Sequence, residues 1–230
     1  MTESPRGLPV KETRRLTQPQ KVMLKTMPAV TQTAALSQVN REIDVTVLQQ
    51  KRRERGLSFN VMMMAAVSRA LPAHPLLSAE LVENQLLIYD VVNLGMAVAV
   101  PDGLIVVVIP KADQLTLSEL DQAIQERVAR SRARKLTLPD MEGGTFTVSN
   151  LGMYGIEGGF PLPPPPQSAI LLVGAAIAKP AVFEGQIAIR EFARFSVNFD
   201  HRFIDGAVPS AFLRDLNAFM GDASAWEQLP

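Results

Sequence analysis

Two apolar runs, "NQLLIYDVVNLGMAVAV" and "GLIVVVI", stand almost end to end with Pro101-Asp102-Gly103 at their junction. Their β-branched residues favour extended backbone, and Pro, Asp and Gly are the residues a tight turn needs. The pair therefore reads as two strands joined in a hairpin, which rules out an all-helical chain. Other segments read as helices. Val22, Met23, Met27 and Val30 recur at helical intervals between Gln20 and Val30. In "SFNVMMMAAVSRAL", Ser58 is a candidate N-cap, with Val61, Met62, Ala65 and Ala66 on one face as core. Thr116 to Arg134 carries Leu117, Leu120, Ile124 and Val128 at the same period, and its four arginines crowd the end where positive charge suits the helix dipole. Further strands are expected at Ser37–Val47, "TFTVSNLG", "SAILLVGAAI" and "GQIAIREFARFSVNF", and a last amphipathic helix runs through Phe212, Leu213, Leu216 and Phe219. Pro163 to Pro166 lack the N–H a sheet ladder requires, so "YGIEGGFPLPPPPQ" is read as a rigid loop inside the domain. The order is mixed α and β, with strands concentrated in the second half.

A chain of 230 residues buries a substantial core. Residues 1–16 are polar with two prolines and read as a flexible N-terminal arm or linker remnant, leaving 17–230 as one folded domain. Lys and Arg number 23, and so do Asp and Glu, so the chain has no electrostatic grip on nucleic acid. No run of eighteen apolar residues is present to span a membrane, and no apolar stretch follows the N-terminus to direct secretion, so a cytoplasmic location is expected. The absence of cysteine removes thiolate ligands, disulfides and a cysteine nucleophile together, and two histidines are too few for a histidine-rich metal site.

Chemistry is thus left to a short list of residues. "FDHRFIDGA" places His201 four residues before Asp205, with Gly206 next. Imidazole titrates near neutrality, so a positioned His201 is a candidate general base for acyl transfer, given a hydroxyl to stabilise the oxyanion. By local pattern alone, His201 also reads as a surface histidine, Ser149 as a serine bonding local backbone and Asp205 as an Asx-turn residue. A Ser-His-Asp hydrolase is weakened by the absence of a G-x-S-x-G elbow. His74, between prolines in "LPAHPLLS", reads as structural.

Three segments taken together go further. "NLGMAVAVPDGLIVVVI", "GGTFTVSNLGMYG…PPQSAILLVGA" and "DHRFIDGAVPSAFL" resemble, in order and spacing, the catalytic domain of dihydrolipoyl acyltransferases of 2-oxo acid dehydrogenase complexes, from about Thr17 to about Met220. The resemblance implies a chloramphenicol-acetyltransferase-like α/β (α+β) two-layer sandwich, a mixed sheet with helices on one side. It also implies that His201 deprotonates the thiol of coenzyme A, that a hydroxyl at Ser149 donates to the oxyanion, and that Asp205 holds the site together by hydrogen bonds. Acetyl is the expected acyl group, and the lipoyl group is supplied in trans by a lipoyl domain, with no metal. The implied assembly is a homotrimer in which His201 and Ser149 meet across chains, serving decarboxylase and dihydrolipoyl dehydrogenase components.

Several positions depart from the family pattern. Gln20-Lys21 stands where Arg-Lys is usual, so the arginine that anchors the motif aspartate is replaced by a neutral side chain able to hydrogen-bond Asp205. "PLPPPPQ" replaces a more usual "PIINPPQ", and Ser78 stands where asparagine is common. No lipoyl or peripheral-subunit-binding domain is expected within this length. In family members that build larger cores an apolar C-terminal end docks into a neighbouring trimer. Trp226 and Leu229 suit either that role or packing on their own subunit. Two alternative functions follow: a non-catalytic trimeric scaffold, and an acetyltransferase of the same fold acting on a small hydroxylated acceptor.

Overall fold

The computed structural model describes residues 4–229. Residues 1–3 of the expected arm and Pro230 fall outside that range. Pro5 to Leu16 run outside helices and longer strands, largely exposed. Order begins at Thr17, whose hydroxyl caps helix α1 (Gln18–Thr33) by accepting from Gln20 N, while Gln20 Oε1 accepts from Thr17 N at 2.9 Å. Each side chain satisfies an N–H that the helix start would otherwise leave unpaired.

Strand β1 (Leu36–Asp44) is shorter than the sequence suggests, because Asp44 Oδ1 accepts from Thr46 N at 2.9 Å and starts helix α2 (Thr46–Arg55). That helix carries "QQKRRER" and has almost no apolar stripe, which hides it from a periodicity argument. It ends at Gly56 in the left-handed conformation. Helix α3 (Phe59–Ala70) is capped by Ser58 as expected, but the one-faced core is corrected: every residue from Val61 to Ser68 is buried. The helix is the centre of the helical layer, so all its sides meet protein.

The expected long strand ending at Val100 is also divided. A small hairpin, β2 (Glu80–Val82) with β3 (Gln85–Leu87), precedes β4 (Leu94–Val100), which pairs antiparallel with β5 (Gly103–Ile109) around the predicted turn. Helix α4 (Leu117–Arg132) follows with a Thr116–Glu119 capping box, and Arg130 pairs with Asp140 at 3.0 Å. Strands β6 (Phe146–Asn150) and β7 (Ala169–Val173) flank the proline loop. "SAILLVGAAI" is broken at Gly174, beyond which β8 (Ile177–Phe183) pairs with the 15-residue β9 (Gln186–Asp200). Helices α5 (Ala207–Gly221) and α6 (Ala223–Glu227) complete the chain.

The sheet order is β1-β9-β7-β6-β4-β5, with β4–β6 and β6–β7 parallel and the rest antiparallel. This is the mixed sheet expected from the sequence. Phe146, Val148, Leu171, Phe195 and Val197 point to one face and form the core with α3, α4 and α5. The other face carries a cross-strand row, Thr147–Ile170–Asn198–Gln38, and it is covered by loop instead of helix. Thr147 Oγ1 donates to Gln167 Oε1 (2.7 Å), Asn198 Nδ2 to Pro161 O (2.7 Å), and Gln38 Nε2 to Gly159 O (2.8 Å) and Asn198 Oδ1 (2.7 Å).

The C-terminal tail folds onto its own subunit. Trp226 is 0% exposed, its Nε1 donates to Met220 O at 3.2 Å, and its ring meets Phe219 edge-on at 4.9 Å. Arg55 Nη2 donates to Trp226 O and Lys51 pairs with Glu227, while Leu229 packs against the core. Of the two roles open to this tail, packing on the parent chain is the one observed. Trp226→Ala should therefore cost about 3–5 kcal/mol of stability by opening a cavity. Urea denaturation checks this, and an unchanged midpoint would contradict the packing described.

Candidate active site

The "FDHRFIDGA" segment forms the turn between β9 and α5. At the strand end, Asp200 pairs with Leu36, and His201 N donates to Ala35 O at 2.7 Å. Ile204, fully buried, pins the turn, and its N–H reaches back to Asp200 O at 3.1 Å. Asp205 Oδ1 accepts from Ala207 N (2.9 Å) and Val208 N (3.3 Å), so it satisfies two N–H groups of the first turn of α5. The residue thus acts through hydrogen bonds to backbone. Gln20 is not among its partners, because its amide oxygen is committed to capping α1.

The strongest electrostatic feature is one the sequence reasoning passed over. Asp200 is 4% exposed and accepts from Arg202 Nε, Arg202 Nη2 (2.6 Å), Arg202 N and Ala35 N. Burial pushes its carboxyl upward, but the hydrogen bonds from Arg202 and the nearby guanidinium charge outweigh burial and hold it below the usual aspartate value. The alternation Phe-Ser-Val-Asn-Phe-Asp was a legible signal, since it puts Ser196, Asn198 and Asp200 on one face of a strand otherwise apolar.

His201 is exposed, with its ring 5.5 Å from that of Phe199 and tilted 41°. Among the described residues its imidazole makes no hydrogen bond, so a ring nitrogen is free to take a proton. His74 has the opposite character: it is 8% exposed, bonded through Nε2 to Asp215 Oδ2 at 3.0 Å and set edge-on to Phe212. It is structural, as its sequence context suggested.

Ser149 lies near the end of β6 on the loop-covered face, half-buried, opposite Leu172 of β7, which is itself opposite Ser196 of β9. Next to it, Asn150 Nδ2 donates to Asn60 Oδ1 (2.6 Å) and Asn150 Oδ1 accepts from Gly152 N (2.8 Å). Gly152 is needed there because a Cβ would come within 2.6 Å of Gly174 O. His201 is five positions beyond Ser196. At about 3.3 Å per residue, with two strand spacings of about 4.8 Å, Ser149 and His201 stand roughly 19 Å apart. Within one chain they do not meet. Two cavities lie near these ends: one of about 170 Å³ beside Asp200, Arg202 and the Pro163–Gln167 stretch, the other of about 360 Å³ beside Asn60 and Asn150. Neither His201 nor Ser149 lines either one. Among the described residues no group of three His, Asp or Glu side chains is placed to hold a metal ion, and no helix is long and apolar enough to cross a membrane.

A mixed sheet with helices on one face is the chloramphenicol-acetyltransferase-like fold. A chloramphenicol acetyltransferase superposes with TM-score 0.58 over 89% of this chain and 95% of its own, at 17% identity, a likeness of fold. The model of the family "2-oxoacid dehydrogenases acyltransferase (catalytic domain)" matches residues 9–226, and the chain belongs to that family. It is similar to the dihydrolipoyllysine-residue acetyltransferase component of the acetoin cleaving system of Bacillus subtilis, 35% identical over 74% of this chain and 42% of the relative. It is likewise similar to the succinyltransferase component of the mitochondrial 2-oxoglutarate dehydrogenase complex of Bos taurus, 32% identical over 83% and 44%. The chain therefore spans less than half the length of these relatives. The structure of the dihydrolipoamide acetyltransferase of Azotobacter vinelandii superposes with TM-score 0.89, covering 95% of each chain at 26% identity. That of a probable dihydrolipoamide acetyltransferase from Listeria monocytogenes gives 0.86, covering 93% of this chain and 95% of its own at 27%.

The Asp200–Arg202 pair makes a pH prediction. A carboxyl held below its unfolded value contributes stability at pH above about 5, and the contribution is lost as pH falls through about 4 and lower. Arg202→Gln should lower the unfolding free energy at neutral pH, and its deficit against the parent should shrink in acid. Denaturant curves at several pH values check this; a deficit independent of pH would show the pair to be electrostatically idle.

Proposed function

We propose that this chain is an acyltransferase that moves an acyl group, acetyl in the first instance, between the dihydrolipoyl group of a lipoyl domain and coenzyme A. In this reading His201 takes the proton of the attacking thiol. The thiolate adds to the thioester carbonyl, Ser149 donates a hydrogen bond to the resulting oxyanion, and collapse of the adduct expels the dihydrolipoyl thiolate, to which the imidazolium returns the proton. Asp205 positions the histidine by capping α5.

The observation that carries this reading is that His201 and Ser149 stand apart within one chain, each with a polar side chain that makes no hydrogen bond among the described residues. The imidazole follows the end of β9, and the serine hydroxyl lies roughly 19 Å away on β6, two strands across the sheet. A homotrimer that apposes unlike faces would join one chain's His201 to the next chain's Ser149. The free polar atoms of both residues and the family membership support this arrangement. Lipoyl domains, a decarboxylase and a dihydrolipoyl dehydrogenase are the partners such a core serves, in a soluble cytoplasmic setting. No cofactor beyond the substrate coenzyme A and the lipoyl group is required.

Acetyl transfer from acetyl-CoA to dihydrolipoamide is the test. His201→Ala should lower the rate about a hundredfold or more, at unchanged oligomeric mass. Mixing His201→Ala with Ser149→Ala chains, then dissociating and reassembling them, should restore part of the lost activity, since some interfaces then pair a native histidine with a native serine. No turnover in the intact parent with acetyl, succinyl or branched donors would overturn the acyltransferase reading and favour the scaffold. Activity without complementation would overturn the shared site.

A further inference from the structure

Ser149 lies just beyond the point where β4 supports its strand. The β4–β6 pairing ends at Met96–Val148, whereas β6 and β7 stay paired through Ser149–Leu172 and Asn150–Val173. Among the described residues the serine therefore sits on a strand end laddered on one side only, the kind of place where a sheet frays. Its neighbour supplies a second hold. Asn150 Nδ2 donates to Asn60 Oδ1 (2.6 Å) in the first turn of α3, and Asn150 Oδ1 accepts from Gly152 N (2.8 Å) in the turn that leaves the strand. Successive side chains of a strand point to opposite faces, so this amide ties the helix side of β6 to α3 and leaves Ser149 to the other face.

The direction of the pair is fixed by its chemistry. A backbone N–H only donates, so Gly152 N takes the oxygen of Asn150; the nitrogen of Asn150 then faces Asn60, which must answer with its own oxygen. Asn150 is thus needed as donor and acceptor at once, and Asn60 as an acceptor alone. Both residues are half-buried and line the cavity of about 360 Å³, where water replaces a lost partner, so their bond adds little to folding stability. Its effect is geometric. A donor to an oxyanion must be held within about 0.5 Å of the productive position, and a strand end laddered on one side does not supply that alone. We infer that Asn60 and Asn150 are positioning residues, which hold Ser149 where its hydroxyl meets the oxyanion. The inference rests on the reading of Ser149 as the oxyanion donor.

Acetyl-transfer kinetics of the intact assembled protein test this, with Asn60→Ala, Asn60→Asp and Asn150→Ala each measured in the parent and in the Ser149→Ala background. Asn60→Ala and Asn150→Ala should each lower kcat about tenfold with KM unchanged, because the interaction they weaken is made only in the transition state. Asn60→Asp keeps the acceptor and should stay within about threefold of the parent. In the Ser149→Ala background, itself about a hundredfold slower, Asn60→Ala should bring no further loss, since there is no hydroxyl left to position. A general loosening of the subunit would instead lower both backgrounds alike. Asn60→Ala at the parent's kcat, an undiminished deficit in the Ser149→Ala background, or Asn60→Asp as slow as Asn60→Ala would overturn the role of the pair. Should Asn60→Ala fail to fold, Asn150→Ala in the two backgrounds decides by the same criterion. Failure of the underlying reading looks different: Ser149→Ala then matches the parent, or the parent is idle, and the pair loses its role with it.

Discussion

The structure depends on three polar side chains, Thr147, Asn198 and Gln38, set in one row across the sheet face that no helix covers. A sheet in a folded domain must cover both faces, and a bare second face would leave Ile170 and Leu172 in water. The covering segment is rich in proline and glycine, so it cannot pair as a strand. Fixed side-chain bonds from Thr147 to Gln167, from Asn198 to Pro161 O and from Gln38 to Gly159 O do the work that a ladder would do. Asn198 is fully buried with its amide oxygen and nitrogen both satisfied, so the row is free of the penalty a half-paired amide would carry. Removing it would release the loop that roofs Ser149's face of the sheet.

What the sequence made legible follows the strength of each local signal. The β4–β5 hairpin, the Ser58 cap, the Thr116 helix and the closing helix all combine a periodic apolar pattern with a cap or turn residue, and all are found. Helix α2 is missed because its stability comes from ends and packing, with hardly an apolar stripe to read. The β7–β8 break is missed because an apolar run gives no sign that Gly174 sits so close to the backbone of Glu157 that any side chain would collide. Strand parity hid less than it seemed to: Ser196, Asn198 and Asp200 alternate with buried aromatic and aliphatic residues, and a polar face within a buried strand is a readable sign of a built network. Gln20 shows the limit of reading a residue through relatives, since its local use as a helix cap is dictated by Thr17 three positions before it.

At the site, the structure divides the labour between the ends of strands. The turn after β9 is held by an ion pair at Asp200, a buried Ile204 and a carboxylate cap at Asp205, which together leave His201 the one projecting and unengaged side chain of the group. For the proposed base, these contacts fix the backbone that carries the imidazole without engaging its ring nitrogens. Ser149 is arranged likewise, with Asn150 and Thr147 on either side bonded away to Asn60 and Gln167.

The pairing of β1 with β9 sets a timetable for synthesis. Leu36 opposes Asp200, 200 − 36 = 164 positions later in the chain, so β1 leaves the ribosome long before its partner exists. At about 5–20 residues per second that interval is on the order of ten to thirty seconds. During it the pairing edge of β1 stands open, and that of β7 joins it only near the end, because β9 is the strand that joins them. The central place of β9 therefore makes the nascent chain dependent on being shielded until its last quarter emerges. It also couples two events, since the strand that closes the sheet delivers the histidine turn in the same stroke, and a subunit with a closed sheet has the proposed base, His201, in position.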